Sequence, residues 1–266
     1  MGIAEPAFSY MVRSIPPLRL GPACATLGKQ HIFMPVERAL EIAAHAGLIA
    51  RGESGSYSFP EQHPFVETHR KGRAQAQPGT ISDVALMNLL GFEKLVSIDA
   101  SSFEGADAVL DLNNAEAAAA MGTQFDFVLD GGTIEHVFHV PNALKNVFDL
   151  LAVNGCVMHI SPVNNYVDHG FCQFSPTLFH DYYAANRFAI VDCKLFQHSR
   201  TELNAPYRMI DYSPGSLDAV SFGGLDSGMY GLLVLARKNA DTTWNAIPQQ
   251  SYYTRQGAWH SGRASE

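Results

Sequence analysis

The sequence lacks the features of several protein classes, and each absence narrows what the chain can be. It has no long run of Lys and Arg, and 26 acidic against 18 basic residues give a formal net charge of -8. This balance argues against nucleic acid and anionic membrane surfaces as partners. No stretch approaches the roughly 18 apolar residues that a membrane span needs. The opening MGIAEPAFSY has no basic start followed by an apolar run, which predicts no secretory signal and a cytoplasmic protein.

Cysteine is scarce, and one common cofactor fingerprint is missing. Cys24, Cys156, Cys172 and Cys193 are scattered along the chain and form no C-x-x-C pair. We interpret them as reduced, buried thiols of a cytoplasmic protein. The G-x-G-x-x-G pattern of dinucleotide-binding folds is also absent, which disfavours a nicotinamide-dependent oxidoreductase.

What the sequence does contain is an alternation of short apolar runs with segments of helical periodicity. Strands are predicted over residues 23–27, 94–98, 108–110, 125–129, 156–160, 188–196 and 229–236. Helices are predicted over residues 35–50, 82–90, 142–151 and 177–186. Such alternation is typical of βαβ units in a parallel sheet, and the last two strands, with no helix between them, could pair antiparallel. We therefore predict an α/β fold: a Rossmann-like, doubly wound, mostly parallel sheet of about seven strands with an antiparallel edge strand.

Composition divides the chain into three parts. Residues 1–22, with two consecutive prolines, are predicted to be an irregular N-terminal arm. Residues 23–238 are predicted to form the α/β domain, with a polar insertion at about 51–80 that is rich in Gly, Ser, Gln, His and Pro. Residues 239–266 are predicted to be a polar tail.

Three consecutive predicted strands each end in an aspartate. These residues are Asp99, Asp111 and Asp130. In an open parallel sheet, ligands bind outside the carboxyl ends of the strands. Three carboxylates at that edge would suit the hydroxyl and amino donors of a ligand, whereas the structural alternative is that each one caps the turn after it.

The segments around these aspartates resemble a known family. LVSIDAS, AVLDLNN, FDFVLDGGTIEHV and LLAVNGCVMHISP are similar to strand-end motifs of class I S-adenosylmethionine-dependent methyltransferases, over roughly residues 84–237. The resemblance implies a methyltransferase that uses S-adenosylmethionine and a small-molecule or sugar-like acceptor. It also implies that Asp99 holds the ribose hydroxyls and that Asp111 with Leu112 lies at the adenine. Gly28, Asp130 and Gly131 complete the cofactor-binding residues that it implies.

The sequence departs from the family at the first strand, where an E/D-x-G-x-G loop is expected. The best match, ACATLGKQ, offers only Gly28, and 71 residues separate Gly28 from Asp99 where about 20 are usual. Two explanations stay open. Either the cofactor is held differently, or the domain is a catalytically inactive binding or scaffold module.

Two histidines are candidate general bases for methyl transfer, which often requires removal of a proton from the acceptor. His136 comes after the fourth parallel strand in DGGTIEH, and His169 lies in the polar loop after the next strand. The structural alternative for His136 is that it anchors a first helical turn. His159 lies inside a predicted strand and is interpreted as a core histidine with satisfied hydrogen bonds.

A metal site is the alternative for some of these residues. The side chains that could ligate zinc or iron are those of Glu135, His136, His139, Asp168, His169, His180 and Asp181. The pair His136 and His139 has i,i+3 spacing, however, and lacks the H-E-x-x-H pattern. The sequence therefore predicts no metal site. It leaves the oligomeric state and the acceptor open.

Overall fold

The computed structural model describes residues 2–49, 80–199, 206–255 and 257. The predicted insertion at 51–80 lies outside these residues, except for Thr80. No helix in the described ranges has the length and apolar character needed to cross a bilayer.

The described chain alternates strands and helices. The strands are β1 (Gly2–Ile3), β2 (Ala23–Leu27), β3 (His31–Ile32), β4 (Lys94–Asp99), β5 (Ala108–Val109), β6 (Phe125–Asp130), β7 (Leu151–Asn164), β8 (Ala189–His198), β9 (Arg208–Asp211) and β10 (Met229–Arg237). The α-helices are α1 (Glu5–Ser14), α2 (Val36–His45), α3 (Asp83–Leu89), α4 (Ala117–Met121), α5 (Val140–Leu150), α6 (Pro176–Ala185) and α7 (Ser251–Arg255).

The main sheet has the order β5-β4-β2-β6-β7-β10-β8-β9. Strands β5, β4, β2, β6 and β7 are parallel, and β10 is antiparallel to both β7 and β8. The predicted fold class is therefore confirmed, with eight strands in the sheet in place of about seven. The last two predicted strands do pair antiparallel, but β10 lies inside the sheet, and the edge strand is the short antiparallel β9.

The order of the sheet reverses between β2 and β6. Strands β4 and β5 follow β2 in the chain and lie on one side of it in the sheet, whereas β6 and then β7 lie on the other side. Leu27 pairs with Ile98 on one side and with Asp130 on the other, so the carboxyl ends of these strands lie level. Ligands bind in the crevice at such a switch point, because the connecting loops diverge there.

Helices cover both faces of the sheet because alternate strand residues point to opposite sides. Helices α1, α2 and α3 pack on one face with Phe127 and Leu129 of β6, and α5 and α6 pack on the other with Val128. The sheet is therefore the middle of three layers, with one apolar core on each side.

Three of the four cysteines belong to these cores. Cys24, Cys156 and Cys193 are buried, whereas Cys172 is only partly buried. All four are free thiols, as predicted. Burial raises the pKa of Cys24 and of Cys193 to about 12, so these two thiols are protonated and unreactive at neutral pH.

The structure corrects the prediction of an irregular N-terminal arm. Residues 5–14 form helix α1, with Pro6 in its first turn. Phe8, Met11, Val12 and Ile15 are buried at helical spacing against the sheet. The two prolines that suggested an irregular segment lie after this helix, where they form a short 3-10 turn.

Several further short elements were not predicted from the sequence, among them β9 and α7. Strand β9 lies between the last two predicted strands, where no element was predicted, and helix α7 lies within the predicted polar tail. Each is only four or five residues long and has no fully buried residue, so neither shows the apolar periodicity on which prediction depends. Strand β7 is also longer than predicted, because its pairing with β10 continues to Asn164.

Helix α5 supports the loop after β5. Asn146 is completely buried, and its Oδ1 accepts a hydrogen bond from the amide of Ala118 at 2.8 Å. Its Nδ2 donates to the carbonyl oxygens of Leu112, Asn114 and Asn142. One amide side chain therefore satisfies four backbone groups and fixes the loop beside Asp111.

We expect Asn146→Ala to lower the free energy of unfolding by about 2–4 kcal/mol, because buried backbone groups lose their partner. Asn88→Ala is the matched control, since Asn88 is an exposed helical residue of α3. It should change stability by less than about 0.5 kcal/mol. Urea unfolding followed by circular dichroism measures both variants, and equal midpoints would contradict the role given to Asn146.

Candidate functional site

The turn after β6 is built on the carboxylate of Asp130. Asp130 is fully buried, and its Oδ1 accepts hydrogen bonds from the amides of Thr133 at 2.9 Å and Ile134 at 3.2 Å. Its Oδ2 lies 2.7 Å from Nδ1 of His159, whose Nε2 lies 2.5 Å from the hydroxyl of Tyr183. His159 is a satisfied core histidine, as predicted. Both oxygens of Asp130 are used within the chain, so Asp130 shapes the turn rather than facing a ligand.

The turn is joined to strand β2 at Gly28. The hydroxyl of Thr133 donates to the carbonyl oxygen of Leu27 at 2.6 Å. Gly28 has φ +73°, and a Cβ at this position would lie 2.8 Å from Oγ1 of Thr133. A larger residue would therefore be strained in both backbone and space. An ion pair of 3.3 Å between Lys29 and Asp83 ties the same loop to the start of α3.

Asp99, at the end of β4, faces Gly28, which follows the neighbouring strand β2 beside the switch point. Its Oδ1 accepts from the amide of Ser101 at 3.3 Å, and its Oδ2 lies 3.9 Å from the position that a Cβ on Gly28 would take. Oδ2 accepts no hydrogen bond from the part of the chain that the structure describes. One carboxylate oxygen is therefore available to a ligand at the end of β4.

Asp111 and Leu112 lie directly after β5, the strand next to β4. Asp111 is exposed, and Asn113 donates to its Oδ1 through both its amide and its side chain, at 2.9 Å each. These hydrogen bonds hold the pKa of the Asp111 carboxyl below its usual value. Leu112 is buried, and its carbonyl oxygen is held by Nδ2 of Asn146.

Gln30 is a site residue that sequence reasoning missed. Its side chain is buried and folds back over the loop, where Nε2 donates to the carbonyl oxygens of Leu27 at 2.8 Å and Gly28 at 3.3 Å. Its Oε1 has no hydrogen-bond partner among the described residues. A Cβ on Gly131 would overlap this oxygen, which explains the glycine there. One feature of the sequence could have identified it. Gln30 occupies the position at which the E/D-x-G-x-G loop has its second glycine.

Glu135 lies in the 3-10 turn that Asp130 caps. Its side chain is completely buried, and neither carboxylate oxygen has a hydrogen-bond partner in the described ranges. Burial, together with the nearby charge of Asp130, raises the pKa of Glu135 to about 8. The sequence named Glu135 only as a weak metal candidate, because burial at this position cannot be inferred from the pattern DGGTIEH.

The structure brings the two predicted bases together. The rings of His136 and His169 lie edge to face with centroids 5.0 Å apart, and Nε2 of His169 lies 3.9 Å from Oε1 of Glu135. Burial lowers the pKa of both imidazoles, and the neighbouring His169 lowers that of His136 further. The other candidate ligands, which do not belong to this group, are His139, Asp168, His180 and Asp181.

The loop after β7 adopts a tight path that places His169. Asn165 and Asp168 both have positive φ, at 64° and 65°, a conformation that Asn and Asp tolerate better than most residues. The amide of His169 donates to the carbonyl oxygen of Tyr166 at 3.2 Å. The hydroxyl of Tyr166 is hydrogen-bonded in turn to Nε2 of His198 on β8.

Two exposed aromatic side chains and one cavity lie near the carboxyl ends of β6 and β7. Phe138 and Phe171 are each 70% exposed and lie edge to face with centroids 5.7 Å apart. A cavity of about 970 Å³ opens at the carboxyl end of β7, where Asn164 lines it. Its walls combine Thr177 of α6 and Tyr212 with the loop before β10 and helix α7. Apart from Thr177, which lies in a predicted helix, these walls come from segments in which the sequence predicted no helix or strand. None of the residues that line the cavity is Gly28, Asp99, His136 or His169.

Comparisons with known proteins find structural neighbours only. No family model and no curated protein matches the sequence. Solved structures that resemble the fold include TehB from Haemophilus influenzae, with 15% identity and a TM-score of 0.39 over 58% of this chain and 52% of TehB. A possible histamine N-methyltransferase from Thermotoga maritima has 14% identity and a TM-score of 0.38, over 58% of this chain and 77% of its own.

A third neighbour is 1,6-didemethyltoxoflavin-N1-methyltransferase from Burkholderia thailandensis, solved with 1,6-didemethyltoxoflavin and S-adenosylhomocysteine bound. It has 14% identity and a TM-score of 0.40, over 88% of this chain and 80% of its own. Similarity at this level carries no inference about function. The sheet order and the geometry of the switch point are therefore the grounds on which a function can be assigned.

Loss of the Tyr183 hydroxyl tests the buried support of the turn. We expect Tyr183→Phe to lower the free energy of unfolding by about 1–3 kcal/mol, because Nε2 of His159 is left without a partner in the core. Tyr253→Phe is the control, since Tyr253 is 51% exposed. Thermal and urea unfolding of the two variants should differ clearly. A Tyr183→Phe protein as stable as the control would show that the contact contributes nothing.

Proposed function

We propose that the chain is an S-adenosylmethionine-dependent methyltransferase that acts on a small-molecule acceptor. The observation that carries this proposal is the free carboxylate oxygen of Asp99 facing the left-handed Gly28 where the sheet order reverses. That pair offers a hydroxyl-binding acid beside an open stretch of backbone, which suits a ribose. Asp111 and Leu112 lie directly after β5, the next strand outward, where they would contact the adenine.

The residues present fit the cofactor at several points. Gly28 leaves room for close approach of a ligand to the end of β2, and Gly131 does the same at the end of β6, provided that the Gln30 side chain moves from above it. The orphaned Oε1 of Gln30 could accept a hydrogen bond from the amino group of the cofactor. Asp130 is assigned a supporting role, because its oxygens are engaged inside the chain.

S-adenosylmethionine, when bound, supplies an electrophilic methyl group. The chain's own contribution is to position the acceptor and to deal with its proton. His136 and His169 lie together after β6 and β7, at the same edge of the sheet as Asp99, and we assign them to the acceptor side. The exposed rings of Phe138 and Phe171, each two positions along the chain from one of these histidines, offer an apolar surface to the acceptor.

A second candidate function is a methyltransferase-like binding or scaffold domain without activity. The specific observation in its favour is Gln30, which occupies the position of the second glycine in the E/D-x-G-x-G loop. Its buried side chain lies over Gly131. In that case the Gln30 side chain fills the space between Gly28 and Gly131 that a cofactor would occupy, and Asp99 and Asp111 only cap their turns.

Binding of S-adenosylhomocysteine tests the main proposal. We expect calorimetry to show binding by the wild-type chain, and Asp99→Asn to weaken it by roughly tenfold or more, because a charged acceptor of hydroxyl donors is lost. Asp241→Asn is the matched control, since Asp241 forms an exposed ion pair with Arg187 away from the site. Equal affinity of the two variants would remove Asp99 from the site.

The variant Gln30→Gly separates the two candidate functions. For an active cofactor site, the wild type binds and Gln30→Gly changes the affinity by only a few-fold. If the Gln30 side chain instead blocks the site, calorimetry of the wild type shows no heat of binding at millimolar S-adenosylhomocysteine, and Gln30→Gly gains binding. The second result would favour the inactive domain over the enzyme.

Release of S-adenosylhomocysteine from S-adenosylmethionine, measured against panels of phenols, amines and sugars, would identify the acceptor. With an active acceptor in hand, we expect His136→Ala or His169→Ala to lower kcat by about 10²–10⁴. His45→Ala, on the exposed side of α2, should retain activity. Full activity in both site variants would contradict their assignment to the acceptor side.

A further inference from the structure

Three potential metal ligands converge beside the turn after β6. The ligand atoms of Glu135, His136 and His169 all lie within 4.8 Å of one another. No other group of three or more His, Cys, Asp or Glu side chains meets this condition in the ranges that the structure describes. The sequence could not show this group, because His169 is 33 positions from His136 and comes from a different strand end.

The state of Glu135 is an independent reason to expect a cation. Its carboxylate is completely buried, yet neither oxygen accepts a hydrogen bond from a described residue. No Lys or Arg among those residues pairs with it, and its only ion-pair partner there is His169 at 3.9 Å. A buried carboxylate without donors is costly, and such a group is charged only where it is paired or coordinates a metal, and is otherwise neutral. A bound cation would supply the positive partner that the described residues do not provide.

The backbone around Glu135 is built to hold this arrangement. The amide of Cys172 donates to the carbonyl oxygen of Glu135 at 3.2 Å. A Cβ on Gly170 would lie 2.8 Å from that same oxygen, so only glycine allows the loop after β7 to approach this closely. The close approach brings the adjacent His169 over the carboxylate.

From this geometry we propose that Glu135, His136 and His169 bind a divalent transition-metal ion. Ligands at about 2.1 Å from a tetrahedral ion lie about 3.4 Å from one another, which is near the present 3.9 Å between Nε2 of His169 and Oε1 of Glu135. The ligand atom of His136 lies within 4.8 Å of those of the other two residues. Two imidazoles and one carboxylate are a ligand set of zinc and of non-haem iron sites.

Three protein ligands leave at least one coordination position open. His136 is exposed and the side chain of His169 is 35% exposed, so the open position faces solvent on the acceptor side. An ion there would lower the pKa of an acceptor hydroxyl by direct contact, and the histidines would then act as ligands and not as bases. That catalytic role rests on the proposed function, whereas the binding of the ion does not.

Metal binding is tested on the full-length chain, with any histidine tag removed and with neither cofactor nor acceptor present. The protein is stripped with a chelator and titrated with Co²⁺, followed by visible absorption, and with Zn²⁺ by calorimetry. We expect one ion per chain. Glu135→Gln and His169→Ala should each weaken binding by at least tenfold and should change the Co²⁺ spectrum.

His139→Ala is the matched control, because His139 lies three residues from His136 on the same exposed segment but outside the group. It should bind as the wild type does. His169→Ala removes a partly exposed side chain and keeps the test valid if the buried Glu135→Gln variant fails to fold. Wild-type binding weaker than about 1 mM, or equal affinity in His169→Ala and His139→Ala, would overturn the proposal. Either result would leave S-adenosylhomocysteine binding, and with it the proposed function, untouched.

Discussion

A buried carboxylate holds together the place where the order of the sheet reverses. Asp130 ends the central strand β6, caps the turn after it through two backbone amides, and bonds the imidazole of His159 on the neighbouring strand. Because the turn is fixed in this way, the hydroxyl of Thr133 reaches β2 and the side chain of Glu135 points into the interior. Both halves of the candidate site therefore depend on a residue whose own oxygens are engaged inside the chain.

The two halves of the site differ in their chemistry. On the side of β4 and β5, acidic oxygens of Asp99 and Asp111 stand at a partly open rim and suit hydroxyl and amino donors. On the side of β6 and β7, a buried carboxylate lies beneath two imidazoles, with aromatic side chains exposed around them. The first half suits a nucleoside, and the second suits a reaction centre or an ion. Gln30 lies between them and is the residue on which the openness of the site depends.

Most of the fold could be predicted because the central strands are short, apolar and bounded by turn residues. Strands β2, β4, β5 and β6 and helices α3, α5 and α6 lie close to their predicted positions, and the side chains of Ser82 and Ser175 cap α3 and α6. Helix α1 was missed because the consecutive prolines after it are a stronger local signal than its apolar spacing. Strand β9 was missed because it is short and half exposed, and it pairs only because β8 presents a free edge.

The candidate site was predictable to a smaller extent. The aspartates could be found because strand ends are visible in a sequence, but their roles could not. Asp99 keeps a free oxygen and Asp130 does not, and this difference depends on which backbone amides and which imidazole happen to lie nearby. Likewise His136 and His169 could be named separately, whereas their contact with each other and with Glu135 depends on how closely the loop at Gly170 approaches the turn.

The amino-acid sequence by itself determined the alternation of strands and helices, the parallel sheet and the acidic residues at its carboxyl edge. These features arise from local periodicity and from turn residues, which act over a few positions of the chain. Only the tertiary structure decided which carboxylate is satisfied, which is free and which is buried without a donor. Hydrogen bonding and burial depend on neighbours that lie tens of residues away in the sequence. The spacing of residues along the chain does not show which of these distant residues come into contact.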